Sequence, residues 1–274
     1  MSQKGDNPKK KNEFITRTLS GAVLLAVVLT LLLVGKSTFL LLLLIIGLGA
    51  QVEFLSLCRP AGADPSRLLP LAISALLICG AFFGLAEVIL VAIGGSMLLF
   101  VLELYRKSDT PLLNIGAALM SVFYTAIPMA ALALIGLRGG EYDYRVVLAI
   151  IGLTWVNDIF AYIFGVTMGR HRLFPRISPK KSWEGFIGGL VCATAAAVGV
   201  GALLGESLLL WGGLGVVVVI AAVLGDLVES MFKRSVGVKD SGNMIPGHGG
   251  MLDRFDALLF SAPFVLFYIS IVNL

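Results

Sequence analysis

Long apolar blocks leave this chain few options. From residue 15 to residue 272 the sequence runs in stretches of 18 to 25 mostly apolar residues joined by short polar connections. A helix needs ~20 such residues to cross the hydrocarbon core of a bilayer. The blocks fall at 15–34, 37–57, 68–85, 87–104, 112–136, 146–168, 184–204, 208–232 and 255–272. The predicted fold is all-α, a polytopic transmembrane helical bundle of about nine spans.

Composition agrees with that reading. The chain is 58% hydrophobic and 14% charged, with mean hydropathy +0.95, whereas soluble domains are nearer half apolar and about a quarter charged. The first block follows Lys9-Lys10-Lys11, as it would in a signal peptide. No small-residue cleavage site follows, and the chain passes through Lys36 into a second apolar block, so the first block reads as a retained span. Cys58, Cys79 and Cys192 lie in or beside apolar segments without CxxC or Cys/His spacing, and read as buried thiols.

Charge tests the span count independently. With the N-terminus in the cytoplasm and nine alternating spans, 18 of the 21 Lys and Arg residues fall on the cytoplasmic side. Lys36, Arg138 and Arg145 fall outside. Such a bias is the positive-inside pattern. The expected organisation is a disordered cytoplasmic tail at 1–13, N-terminal transmembrane helices at 14–145 that pack and supply a lipid groove, and a catalytic transmembrane region at 146–274. Cytoplasmic segments 169–183 and 233–254 are long and rich in Gly, Pro, Ser and charge, and loops of that length in a compact protein carry function or are disordered.

Carboxylates within the last spans point to chemistry. Asp158, beside Asn157, lies inside the sixth block, and Asp226 and Glu229 lie inside the eighth. Glu184 opens the seventh, and Asp253 and Asp256 open the ninth. An acid at membrane depth costs at least ~2.5–3.5 kcal/mol, so it faces a cavity, a metal or a basic partner. Interhelical ion pairs are the alternative role. Asp226, Glu229, Ser230 and Lys233 share one helical face, and so do Asp253 and Asp256. Carboxylates from two helix ends can converge on one divalent cation, and Mg²⁺ takes few carboxylates together with water and substrate phosphate.

Bases surround the same mouth: Lys180, Lys181, Lys233, Arg234, Lys239 and Arg254. Acids that hold a metal beside bases that neutralise phosphate suit a metal–polyphosphate substrate. Positive-inside topology explains any one of these bases equally well. The Gly-rich run Ile245-Pro246-Gly247-His248-Gly249-Gly250 lets backbone N–H groups approach phosphate, and a helix N-terminus follows. His248 is a candidate phosphate donor, general base or loop-structuring group. Gly165, Gly169, Gly185, Gly188 and Gly189 read as close helix packing. The net charge of +4 is modest, and no nucleic-acid partner is expected.

The run from Ser230 through Lys233-Arg234, Lys239-Asp240, Pro246-Gly247-His248-Gly249-Gly250 and Asp253-Arg254-Phe255-Asp256 closely resembles the signature of the phosphatidate cytidylyltransferases. Ser178-Pro179-Lys180-Lys181-Ser182-Trp183-Glu184-Gly185 and Asn157-Asp158…Ala161-Tyr162 resemble that family too, with Ser182 where Thr is common. The resemblance is strong over about 150–260, and the first 145 residues match mainly as a hydrophobic pattern.

The resemblance implies attack of a phosphatidic acid oxygen on the α-phosphorus of CTP, releasing pyrophosphate and forming CDP-diacylglycerol. This would be the first committed step of bacterial phospholipid synthesis, in an inner membrane with the active site facing the cytoplasm. It implies Asp226, Asp253 and Asp256 as ligands of Mg²⁺, with K⁺ as a second cation. Glu229, Lys239 and Asp240 join these acids in the expected catalytic set. Substrate would be bound by Asn157, Asp158, Ser178, Lys180, Lys181, Glu184, Ser230, Lys233, Arg234, His248, Gly249 and Arg254. Membrane lipids are expected partners, and the family allows a homodimer. Two rivals remain: a CTP-dependent enzyme for another lipid phosphate or polyprenol, and an ion-coupled transporter, which should show internal repeats that this sequence lacks.

Overall fold

The nine apolar blocks each become helix, and the ways in which some of them break follow from individual residues. The computed structural model describes residues 8–272. Residues 1–7 of the expected tail lie outside the described residues. Residues 8–13 are the first turns of α1 (Pro8–Leu33). Pro8 suits that start, because a first-turn residue has no intrahelical use for the N–H that proline lacks.

The Leu-rich second block is α2 (Lys36–Leu57). The third is α3 (Leu68–Phe83), which at 16 residues is the shortest apolar segment. It ends on Gly84 at φ 67, the left-handed cap that glycine adopts without strain, and the chain turns straight into α4 (Ala86–Gly95). The expected single span 87–104 is bent at Gly94-Gly95-Ser96 into α4 and α5 (Leu98–Arg106), where the Ser96 hydroxyl bonds back to the Ala92 carbonyl. The fifth block is α6 (Pro111–Ser121) and α7 (Ile127–Gly136), joined by one π-helical turn at Val122–Ala126. Pro128 supplies the reason: it has no N–H for the Tyr124 carbonyl, and the widened turn accommodates its ring.

The last four helices are α8 (Arg145–Met168), α9 (Trp183–Leu204), α10 (Leu208–Ser235) and α11 (Leu252–Val272). A short antiparallel hairpin, β1 (Arg172–Phe174) with β2 (Ser178–Ser182), joins α8 to α9. Among the described residues, eight helical segments, counting α4–α5 and α6–α7 as one each, are long and apolar enough to cross a membrane, with α3 as a shorter ninth. The protein is a polytopic all-α bundle.

Close packing among α8–α11 follows from small residues. A Cβ on Gly185 would come within 2.6 Å of the Ala161 carbonyl oxygen, and one on Gly189 would overlap Asn157. Bare backbones let α9 lie directly on α8, the small-residue contact typical of membrane helices. Ser182 caps α9 by accepting the Gly185 N–H at 3.1 Å. Across the bundle, Phe54 of α2, Tyr124 of the π turn and Phe232 of α10 stack with centroids 5.3–5.7 Å apart. These rings tie the N-terminal helices to the end of α10 that carries the acids.

Candidate active site

The acids collect where α10 and α11 run side by side. Asp226 and Glu229 are three residues apart on α10, so they project from one face. Asp256 faces them from α11, and ligand oxygens of the three lie within 4.8 Å of one another. Glu229 is fully buried, and its Oε1 has no hydrogen-bond partner. A concentration of carboxylates with an unpartnered buried oxygen fits a divalent cation, because it otherwise holds like charges together at a cost.

Two lysines border this cluster. Lys181, at the end of the hairpin, places Nζ 2.5 Å from Asp226 Oδ2. Lys233, one turn beyond Glu229 on α10, ion-pairs with Glu229 and with Asp253 Oδ1 at 2.7 Å. Ser230 donates to Asp226 Oδ1 at 3.2 Å.

Asp253, also expected among the metal ligands, adjoins the cluster through Lys233. One oxygen meets Lys233, and Oδ2 accepts the N–H groups of Ser241 and Gly250, both at 2.9 Å. Both acids lie in the first turns of α11 (Leu252–Val272); Asp253 meets Lys233 and the loop, and Asp256 comes within 4.8 Å of Asp226 and Glu229. Asp226, Glu229 and Asp256 form the tightest group of acids among the described residues, with Asp253 beside Glu229 across Lys233.

The Gly-rich loop is shaped by backbone signs. Gly247 and Gly249 have φ of 74 and 86, a region L side chains avoid. The turn is closed by the Ile245 N–H on the Gly249 carbonyl and the His248 N–H on the Ile245 carbonyl. His248 Nδ1 lies 2.8 Å from Ser20 Oγ of α1, and Arg254 Nε donates to the His248 carbonyl at 2.8 Å. His248 thus joins the loop to the first helix.

Two cavities border the cluster, one through Lys181, which pairs with Asp226, and one through Asp256. One, of 550 Å³, lies among α8, α9 and the hairpin, with Asn157, Asp158, Arg172, Lys180 and Lys181 on its wall. The other, of 390 Å³, lies between α1, α8 and α11, with His248, Asp253, Arg254 and Asp256 at its polar end and Leu24, Leu25 and Val28 along its side. Asp158 lines both.

Several expected residues stand apart from the acids. Glu184 accepts from the His171 backbone N–H at 3.2 Å and meets its ring nitrogen at 2.6 Å, anchoring the hairpin beside a third hollow. Arg234 donates to the Val238 carbonyl and closes the end of α10. Ser178 pairs with Phe174 within the hairpin. Lys239 and Asp240 are exposed on the loop, with Asp240 beside Gly249.

Sequence reasoning missed Glu53. It is the one carboxylate of the second apolar block, it is 5% exposed, and it reaches from α2 to the start of α11, where its Oε2 accepts the Leu252 N–H at 2.8 Å. That lone acid in a Leu-rich run was the available signal. Arg172 and Ser20 were missed as well, and nothing local distinguishes either in the sequence.

Similarity to known proteins points to one family. A family model described as the cytidylyltransferase family matches residues 15–272. A phosphatidate cytidylyltransferase of Staphylococcus haemolyticus is 34% identical over 265 residues, covering 90% of this chain and 95% of the relative. Proteins of the same name from Staphylococcus saprophyticus and Staphylococcus aureus are 39% and 41% identical over 61% and 57% of this chain, and 64% and 60% of their own lengths. The chain belongs to the cytidylyltransferase family.

Proposed function

We propose that this member of the cytidylyltransferase family is a phosphatidate cytidylyltransferase, converting CTP and phosphatidic acid to CDP-diacylglycerol and pyrophosphate. The observation that carries the reading is the cluster of Asp226, Glu229 and Asp256 between two lysines, beside two cavities that share Asp158 on their walls. Two substrates must meet there, and both are anions.

The cavity with Lys180, Lys181 and Arg172 on its wall suits the CTP triphosphate, whose oxygens these bases would neutralise. The cavity walled by α1, α8 and α11 suits phosphatidic acid, with Arg254 near the headgroup and Leu24, Leu25 and Val28 along an acyl chain. A phosphatidate oxygen attacks the α-phosphorus in line, the bond from that phosphorus to the bridging α–β oxygen breaks, and pyrophosphate leaves with the electron pair. The nucleophile is already ionised, so no strong general base is required.

Asp226, Glu229 and Asp256 would hold Mg²⁺, which when bound supplies Lewis-acid stabilisation of phosphoryl charge. K⁺ is the proposed second cation. Lys233 keeps Glu229 and Asp253 from repelling each other, and Asp253 holds the loop at Ser241 and Gly250. The site faces the cytoplasm of a bacterial inner membrane in this reading, because the bases of segments 169–183 and 233–254 lie around it. A homodimer is the proposed assembly, tested by mass measurement in detergent.

Purified protein supplied with labelled CTP, phosphatidic acid and Mg²⁺ should yield labelled CDP-diacylglycerol, and the label should stay in CTP when phosphatidic acid is omitted. Transfer to a polyprenyl phosphate but not to phosphatidic acid would replace the proposed substrate.

A further inference from the structure

We propose that Glu53 is a positioning residue that sets the depth of α11 against α10 and thereby the spacing of the acids that carry the chemistry. The inference rests on the site proposed above and concerns a helix to which no part in that site has been given.

A buried carboxylate in a helix otherwise made of Leu, Ile and Phe is costly unless it is engaged. Glu53 is engaged through one oxygen with the loop between α10 and α11 and with the first residue of α11. Its Oε2 accepts the Leu252 N–H at 2.8 Å and lies 3.4 Å from the Ser241 hydroxyl. Leu252 is the first residue of α11, and first-turn N–H groups have no partner within their own helix. A carboxylate there also opposes the positive end of the helix dipole. α2 therefore supplies the cap that α11 cannot supply for itself.

Room for this contact is built into the loop. A Cβ on Gly242 would come within 2.6 Å of Glu53 Oε1, and one on Gly250 would overlap Oε2. Asp253 holds the same loop through the N–H groups of Ser241 and Gly250. Two carboxylates from different helices thus clamp one pair of segments. Asp256 lies one turn beyond Leu252, so a shift of the α11 terminus carries it away from Asp226 and Glu229.

The test measures amide hydrogen exchange at Gly250 and Leu252, and the Mg²⁺ concentration for half-maximal turnover, in wild type, Glu53→Leu, Glu53→Gln and Ser241→Ala. Glu53→Leu removes both acceptors. It should lose protection at Leu252, raise the half-saturating Mg²⁺ by at least about tenfold and lower kcat by a similar factor. Glu53→Gln keeps an acceptor and should recover most of that protection and turnover. Ser241→Ala should move the same readouts about two- to threefold, and it decides the matter if Glu53→Leu does not fold. Gln51→Leu is the control, because Gln51 is buried on the same helix but bonds to Ser121 instead. It should lower thermal stability without moving the Mg²⁺ response. Wild-type protection and Mg²⁺ response in Glu53→Leu, or in Ser241→Ala if the former does not fold, would overturn the proposal. The exchange readout needs no substrate, so it tests the clamp even if the enzyme acts on a different lipid phosphate.

Discussion

Lys181 Nζ lies 2.5 Å from Asp226 Oδ2, so the hairpin between α8 and α9 is fastened by charge to the acid cluster on α10. The side chains are 26% and 42% exposed, and a pair that open contributes at most about 1 kcal/mol to stability. In the proposed function its importance lies with the nucleotide. Lys181→Met should leave the melting temperature in detergent nearly unchanged. It should lower kcat/KM for CTP by about 1.5–3 kcal/mol, or roughly ten- to 150-fold, as a lost charge-assisted hydrogen bond would. Equal kcat/KM in the two proteins would separate Lys181 from CTP.

Lys233 is the opposite case. Its side chain is 11% exposed and it stands between Glu229 at 0% and Asp253 at 6%. Removing one member of a buried ion pair strands the other, at about 3–5 kcal/mol. Lys233→Met should therefore lose stability as well as activity, seen as a lower melting temperature and poor recovery from the membrane. A melting curve matching wild type would contradict the burial of this network.

Gly249→Ala should damage the loop locally. The residue sits at φ 86, and a Cβ there would lie 2.8 Å from Asp253 Oδ2. Strain of this kind costs about 1–3 kcal/mol. Turnover should fall and the Ser241 and Gly250 amides should exchange faster, while the apolar helices keep their protection.

The topology is testable apart from the chemistry. Nine crossings from a cytoplasmic N-terminus put Leu274 outside. A C-terminal fusion to alkaline phosphatase should be active and one to a cytoplasm-dependent fluorescent protein dark. The reverse pattern would remove or add a span.

Much of the fold was legible because bilayer thickness dictates helix length, and every apolar block is helical, seven of them as single helices. The bends were less so. The break at Gly94-Gly95-Ser96 and the π turn before Pro128 are adjustments within apolar runs that hydropathy does not register. The acids at Asp226, Glu229 and Asp256 were legible from their cost in a membrane and their spacing on helical faces. The partners of Asp253 were not, because two of them are backbone N–H groups, of Ser241 and Gly250, that leave no mark in a sequence. Glu53 was hidden for a related reason: its partner is a backbone N–H some 199 positions away, and backbone amides leave no mark in a sequence.

The central claim is that Asp226, Glu229 and Asp256 form the cation site for cytidylyl transfer. Turnover of CTP with phosphatidic acid against Mg²⁺ concentration, in Asp226→Asn and Asp256→Asn beside their melting curves, tests it most directly. Both variants should insert and melt near wild type. Both should lose several kcal/mol of transition-state stabilisation, at least about a hundredfold in rate, and added Mg²⁺ should not restore it. A stable Asp226→Asn protein with near-normal turnover and the wild-type Mg²⁺ response would contradict the account.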